Sequence, residues 1–140
     1  MTEPTTENCV FCAIVAGEAP SLRIHEDDDT LAFLDINPIT VGHALVVPKR
    51  HAVDLHDIPA VDMAAAARSA KHVAGLLTDR LGSDGVNLLH ATGAAAWQTV
   101  FHFHIHVLPR VAGDLPFPFP LRGTTEQEVR AVFDRIVGDG

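Results

Sequence analysis

Residues 97–110 carry the most regular alternation of hydrophobic and polar positions in this chain. Apolar side chains alternate with histidines, which predicts a β-strand with one buried face and one polar face. The polar face holds His102, His104 and His106, and the apolar face holds Phe101, Phe103, Ile105 and Val107. If the apolar face is buried, three imidazoles follow one another at steps of about 6.6–6.8 Å along a supported strand. We interpret this row as the first candidate for a functional site.

The remaining pattern predicts four further strands and three helices. We expect strands at 22–25, 30–36, 43–47 and 86–90, helices at 9–16 and 58–81, and a last helix that begins at Thr125. Asn8 is the expected cap of the first helix, Pro59 belongs to the first turn of the second, and Thr125 and Glu128 suit a capping box. Neighbouring strands with one long helix between them predict an α+β fold with a five-stranded antiparallel sheet.

Length and composition predict a single domain over residues 1–140. The chain has 140 residues, 47% of them hydrophobic, which is enough for a sizeable core. Residues 1–7 are polar and are expected to be disordered. Residues 111–123 contain Pro116, Pro118 and Pro120, a spacing that excludes regular structure there.

The net charge of the chain limits the kinds of molecule that it is expected to bind. The formal net charge is −8, with only ten lysines and arginines, so we expect neither general nucleic-acid binding nor binding to an anionic membrane. A small anionic substrate remains compatible with a locally positive pocket. The polar start and the lack of a long apolar run predict neither a secretory signal nor a membrane span, and we expect a cytoplasmic protein.

The histidine row has three interpretations. It is a histidine-rich exposed face, a metal site that uses all three rings, or a histidine nucleophile with histidine helpers. Neutral imidazole is a good nucleophile near pH 7, because its unperturbed pKa is about 6.5. If one ring nitrogen attacks phosphorus, the other must keep its proton and be held in place. His104 suits this role, because His102 and His106 flank it and can offset charge on a phosphate.

Four segments in order resemble the histidine triad (HIT) family of nucleotide-binding proteins. They are Cys9 to Ser21, Leu31 to Pro38, Gly42 to His51, and the His102-Phe103-His104-Ile105-His106-Val107-Leu108 signature. The resemblance covers most of the chain. It implies an enzyme that cleaves purine nucleotides at the α-phosphate, either phosphoramidates or dinucleoside polyphosphates, through a nucleotidyl-histidine intermediate.

By position, the resemblance also implies roles for individual residues. His104 matches the nucleophile, His106 the residue that hydrogen-bonds the phosphate, and His43 a fourth histidine beside the leaving group. Asp35 matches the carboxylate that holds the ribose hydroxyls. The base slot is matched by Phe11, Ile14, Leu34 and Ile36, and polar positions near the phosphate and leaving group by Gln98 and Thr99. Each residue also has a purely structural interpretation. The apolar residues of the base slot could belong to the core, Asp35 could be a turn residue, and His43 could be a strand histidine whose hydrogen bonds are made within the protein.

The Cys9-x-x-Cys12 pair has its own alternatives, namely a redox pair, two reduced thiols or half of a zinc site. A zinc-binding branch of the resembling family adds one histidine after a Pro-x-x-His turn and the first histidine of the triad. In this chain those are His51 and His102. Four protein ligands close the coordination sphere, so the implied zinc is structural.

The resemblance further implies a homodimer whose two sheets join edge to edge. Three classes of function remain open from the sequence. The first is the nucleotide hydrolase or transferase, the second a nucleotide-binding interaction protein with incidental hydrolysis, and the third a metal-dependent hydrolase that uses the histidine cluster.

Overall fold

The computed structural model describes residues 8–114 and 123–138. Five strands form one antiparallel sheet in the order β1-β2-β3-β5-β4: β1 Arg23–Glu26, β2 Thr30–Leu34, β3 Ala44–Pro48, β4 Gly85–Leu89 and β5 Ile105–Arg110. The helices are α1 Val10–Val15, α2 Ala60–Leu81 and α3 Glu126–Val137. The predicted α+β fold, with its short, long and C-terminal helices, is confirmed. The predictions for residues 1–7 and for the three prolines at 116, 118 and 120 lie outside the described residues.

Helix α2 covers one face of the sheet. Its small and apolar residues, including Ala66, Ala70 and Val73, are fully buried against Ala32 and Val46 of the central strands. Small side chains along the inner stripe let the helix approach the sheet closely. Among the described residues, no helix is long and apolar enough to cross a bilayer.

Helix α1 lies on the opposite face and is much shorter. Phe11 and Ile14 are buried against Leu31, Phe33 and Leu45, so β2 and β3 are covered on both sides. Phe11 and Phe33 meet edge to face, with ring centroids 5.5 Å apart. Since a six-residue helix covers only part of this face, a cavity remains beside it.

The helix termini differ in part from the sequence predictions. Cys9, not Asn8, caps α1, because its sulfur accepts the N–H of Cys12 at 3.3 Å. Helix α2 begins at Ala60, so Pro59 stands at the cap position and not in the first turn. The capping box of α3 is confirmed, since the side chains and backbone of Thr125 and Glu128 bond reciprocally.

The predicted histidine strand is wrong over its first half. Strand β5 begins at Ile105, and Phe101, expected on the buried face, is 43% exposed. The pairing with β3 ends at Val46 and Ile105, and two residues further the same register would place Pro48 opposite Phe103, where proline has no N–H to donate. The N–H of Phe103 instead reaches the carbonyl of Ala52 at 2.7 Å. His102 and His104 therefore precede the strand, in a segment held by other contacts.

Candidate functional site

A cavity of about 400 Å³ opens between α1, the central strands and the segment that leads into β5. Its wall includes most of the predicted nucleotide residues, namely Phe11, Ile14, Leu34, Asp35, Ile36, Thr99, His104 and His106. It also includes residues that the sequence analysis did not select, namely Val10, Pro20, Ser21, Phe33, Asn37, Leu45 and Val100. One end is apolar, and the other presents a carboxylate and two imidazoles. Such a cavity suits a ligand with a flat apolar part and an anionic part.

His104 is buried in the wall of this cavity, with 5% of its surface exposed. Its Nδ1 lies 2.8 Å from the carbonyl oxygen of His102, and a carbonyl only accepts, so Nδ1 carries the proton. The neutral ring therefore has its lone pair on Nε2. Burial lowers the pKa of His104, which favours this neutral form. The edge-to-face contact with Phe11, at a centroid distance of 5.1 Å, fixes the plane of the ring.

His43, which directly precedes β3, lies next to His106 of β5. Nε2 of His43 is 2.9 Å from Nδ1 of His106, and 3.6 Å from Oδ2 of Asp35. Burial is the main cause that lowers the pKa of both rings, to about 4 for His106. His104 and His106 are in edge contact at a centroid distance of 4.8 Å. Three neutral imidazoles and one carboxylate thus meet at one end of the cavity.

Gln98, predicted beside the phosphate, is buried behind the cavity wall and holds the loop that precedes Thr99. Its Oε1 accepts the N–H of Gly93 at 2.7 Å, and its Nε2 donates to the carbonyl of Val53 at 2.7 Å. In this conformation its amide binds the protein's own backbone. A contact between Gln98 and a ligand stays a prediction.

His90 lies in no sequence motif that indicates a functional role. Its Nδ1 lies 2.9 Å from the carbonyl oxygen of His104, and its ring stacks on buried Phe103 at a centroid distance of 4.3 Å. Nε2 of His90 meets the hydroxyl of Thr92 at 2.5 Å. His90 therefore fixes the backbone of His104 from the side of α2. No local motif marks it, because the contact depends on β4 lying beside β5.

The predicted zinc ligands come together on the far side of α1. Nδ1 of His102 is 3.3 Å from Sγ of Cys9, 3.4 Å from Sγ of Cys12 and 3.2 Å from Nδ1 of His51. Sγ of Cys12 is 3.3 Å from Nδ1 of His51. Zinc bonds of about 2.3 Å to sulfur and 2.0–2.1 Å to nitrogen place tetrahedral ligand atoms at about this spacing.

The chemistry of this Cys2His2 cluster fits zinc. Nε2 of His102 donates to the carbonyl of Pro48 at 2.8 Å, which leaves an unprotonated Nδ1 facing the cluster, as a zinc ligand requires. Burial, together with the neighbouring Cys9, raises the pKa of the Cys12 thiol to about 12, so a cation is needed to hold both sulfurs as thiolates. Four protein ligands leave no open position for substrate, and such zinc would be structural.

The three histidines of the triad do not share one metal position. His102 belongs to the cluster with Cys9 and Cys12, whereas His106 lies with His43 and Asp35. His104 lines the cavity and bonds its Nδ1 proton to a carbonyl. The geometry therefore does not support a single ion held by all three rings.

Fold and site together define a class: a small α+β protein with an open antiparallel sheet, a ligand cavity and a buried histidine with a free ring lone pair. The HIT domain family model matches residues 16–113. The chain belongs to this family of nucleotide-binding proteins, as the resemblance indicated.

Individual relatives agree with this assignment. An uncharacterised HIT-like protein of Mycobacterium tuberculosis is 50% identical over 106 residues, which are 76% of this chain and 74% of that protein. The adenylylsulfatase HINT3 of Arabidopsis thaliana is 43% identical over 107 residues, 76% of this chain and 54% of that protein. The crystal structure of a zinc-bound histidine triad family protein from Mycobacterium smegmatis has a TM-score of 0.77 and 42% identity, and covers 94% of this chain and 97% of that one.

Proposed function

We propose that this protein is a nucleotide hydrolase or transferase that cleaves purine nucleotides at the α-phosphate through a covalent intermediate on His104. The observation that carries the proposal is the hydrogen bond from His104 Nδ1 to the carbonyl of His102. It assigns the proton to Nδ1 and the nucleophilic lone pair to Nε2, in the wall of a cavity large enough for a nucleotide. The apolar wall formed by Phe11 and Ile14 suits a base, and Asp35 suits the ribose hydroxyls.

In the first step, Nε2 of His104 forms a bond to the α-phosphorus while the bond from phosphorus to the leaving group breaks. The leaving group departs with its electron pair and takes a proton from solvent, while the N–H of His106 is the candidate hydrogen-bond donor to the phosphate oxygens. In the second step, water attacks phosphorus and releases a proton to solvent while the bond from phosphorus to Nε2 breaks and the imidazole departs. The products are a nucleoside monophosphate and the restored neutral ring. In a transferase reaction, another acceptor takes the place of water in the second step.

Two classes of leaving group fit this scheme, an amine from a phosphoramidate and a nucleoside phosphate from a dinucleoside polyphosphate. The Arabidopsis relative carries the name adenylylsulfatase, which favours substrates with an adenylyl group. A nucleotide-binding interaction protein with incidental hydrolysis is the remaining alternative. Equal complementation of a null phenotype by wild type and His104→Ala would favour it.

The test of the proposal compares wild type with His104→Ala and His104→Asn on a panel of adenosine and guanosine phosphoramidates and dinucleotides. We expect turnover to fall by at least about 10³-fold, because the nucleophile is lost, while a nucleoside monophosphate still binds. Rapidly quenched wild-type reactions should yield a peptide containing His104 with one nucleotidyl group, detected by mass spectrometry. Full turnover by His104→Ala would refute the proposal.

We further propose a structural zinc ion held by Cys9, Cys12, His51 and His102. The donor set and the spacing described above support it, and the zinc-bound relative from Mycobacterium smegmatis has the same fold. Zinc held there would join α1 to the segment before β5 and leave His104 free for chemistry. Since thiolate ligands persist in a reducing compartment, the proposal also agrees with the expected cytoplasmic location.

Two copies of the chain are proposed to form a homodimer, as the resemblance implies. Strand β4 is an edge of the sheet, and its Leu88 is 54% exposed. Helix α3 presents an apolar stripe whose four side chains are each at least half exposed, namely Val129, Val132, Phe133 and Ile136. A second copy of this chain is the proposed cover for both surfaces.

A further inference from the structure

The loop between β2 and β3 contacts His43 at a ring nitrogen. The backbone N–H of Ile39 lies 3.1 Å from Nδ1 of His43 with hydrogen-bonding geometry. A backbone N–H only donates, so Nδ1 accepts and carries no proton. Burial lowers the pKa of His43, so its ring is neutral at pH 7 and its single proton is on Nε2. The backbone amide of Ile39 thus selects one of the two tautomers of His43.

This tautomer sets the direction of the next hydrogen bond. Nε2 of His43 is 2.9 Å from Nδ1 of His106 and 3.6 Å from Oδ2 of Asp35, so the proton is donated to His106. Nδ1 of His106 is then the acceptor. Since the ring of His106 is also neutral, its own proton is on Nε2, the nitrogen left for a ligand in the cavity.

The tautomer of His43 also argues against a metal ion bound by Asp35, His43 and His106. Asp35, His43 and His106 have ligand atoms close enough together for a cation. A histidine that binds a metal through one nitrogen normally donates a proton from the other. His43 accepts at Nδ1, so a metal at Nε2 would need a doubly deprotonated ring. The histidine of the zinc cluster differs, because Nε2 of His102 donates to a carbonyl.

We propose that the backbone amide of Ile39 is a positioning group that fixes the polarity of the His43–His106 pair, so that His106 presents an N–H and not a lone pair to the substrate. Two backbone hydrogen bonds close the loop around His43. Asp35 N–H donates to the carbonyl of His43 at 2.9 Å, and His43 N–H donates to the carbonyl of Thr40 at 3.1 Å. The carboxylate proposed for ribose is therefore part of the loop that sets the tautomer. The catalytic consequence rests on the proposed function, whereas the tautomer does not.

The direct test is imidazole ¹⁵N NMR of histidine-labelled wild-type protein at pH 7, with His43 and His106 assigned from spectra of His43→Gln and His106→Gln. We expect both rings to be neutral with the proton on Nε2. Protonation of His43 at Nδ1, or a doubly protonated ring, would overturn the proposal without any measurement of activity. Failure of the proposed function would instead appear as unchanged turnover in His104→Ala, with these spectra unaffected.

A pair of variants then tests the amide itself. Ile39→Pro removes the N–H, and Ile39→Ala keeps it while trimming a side chain that is 56% exposed. We expect Ile39→Pro to populate the Nδ1–H form of His43 and to lower kcat about 10–100-fold with KM within about twofold, because a positioned hydrogen-bond donor to the phosphate is lost. Ile39→Ala should keep the wild-type imidazole spectrum, and Val41→Ala, in the same loop, should keep wild-type activity. A wild-type spectrum for folded Ile39→Pro would show that another contact fixes the tautomer.

Discussion

At the scale of single residues, the buried neutral histidines make stability depend on pH. The pKa of His106 is lowered to about 4, mainly by burial and also by nearby His104 and His43, with Asp35 opposing them. In the unfolded chain the pKa is about 6.5. Between these values the unfolded state binds a proton that the folded state does not, so the free energy of unfolding falls as the pH drops from 6.5 to about 4.

Urea denaturation at several pH values between 7.5 and 4.5 measures this dependence. His106→Gln removes the titrating group. The free energy of unfolding of this variant should fall less steeply than that of wild type as the pH drops below 6.5. His56→Gln changes an exposed histidine and is the matched control, with the wild-type slope expected. Equal slopes for wild type and His106→Gln would show that His106 is not kept neutral by the fold.

The sequence predicts which side chains carry the chemistry of the site better than it predicts the hydrogen-bond partners of those side chains. His104, His106 and Asp35 were selected from local motifs, and the structure brings them to one cavity. The partners that assign their protons are backbone groups, such as the carbonyl of His102 and the N–H of Ile39. Every residue has these groups, so only the folded path of the chain reveals which of them meets an imidazole. The same reason explains why His90 could not be predicted.

At the scale of elements, α1 is the helix that depends most on its surroundings. Six residues are far below the roughly 12–15 needed for a helix that is stable alone in water, so α1 relies on buried Phe11 and Ile14 and on the proposed zinc. Removing the metal, by chelation or by Cys12→Ser, should speed amide exchange in residues 10–16. Exchange in the centre of α2 should change much less, because its inner face is packed against the sheet.

Hydrogen exchange read by mass spectrometry, together with elemental analysis of the same preparation, checks this prediction. Val10→Ala serves as the control, because it trims a side chain of α1 that is 49% exposed and leaves all four proposed ligands intact. It should keep both the metal and the slow exchange. A preparation with slow exchange in α1 and no bound metal would be incompatible with the proposed zinc site.

The elements themselves were largely predictable, and the main error has a physical cause. Alternation of apolar and polar residues marks any extended segment, whether or not a neighbouring strand pairs with it. The pairing of β5 with β3 ends at Val46 and Ile105, and a continued ladder would meet Pro48, which has no N–H, so the alternation extends beyond the end of the ladder. The predicted cap of α1 was also wrong, since Asn8 and Cys9 both have side chains able to accept a hydrogen bond.

At the scale of the whole molecule, the exposed apolar stripe of α3 is the main reason to predict that two copies pair. Helix α3 is amphipathic, and Phe133 on the stripe is 52% exposed in one copy. An apolar surface of this kind is costly to leave in water, and a net charge of −8 on each copy opposes pairing only at low salt. We therefore predict a dimer in solution, strengthened by moderate salt.

Light scattering coupled to gel filtration over a range of concentrations measures this directly, with wild type expected at twice the mass of one chain. Phe133→Glu places a charge within the stripe and should shift the equilibrium to monomer, because an unpaired carboxylate would have to be buried in the interface. Gln127→Glu adds the same charge on the opposite side of α3, about 160° around the helix axis from Val129, and should leave the dimer intact. If both variants stay dimeric, the pairing runs through the β4 edge alone, and Leu88→Lys should then separate the copies. Wild type that remains a monomer at every concentration would contradict the homodimer itself.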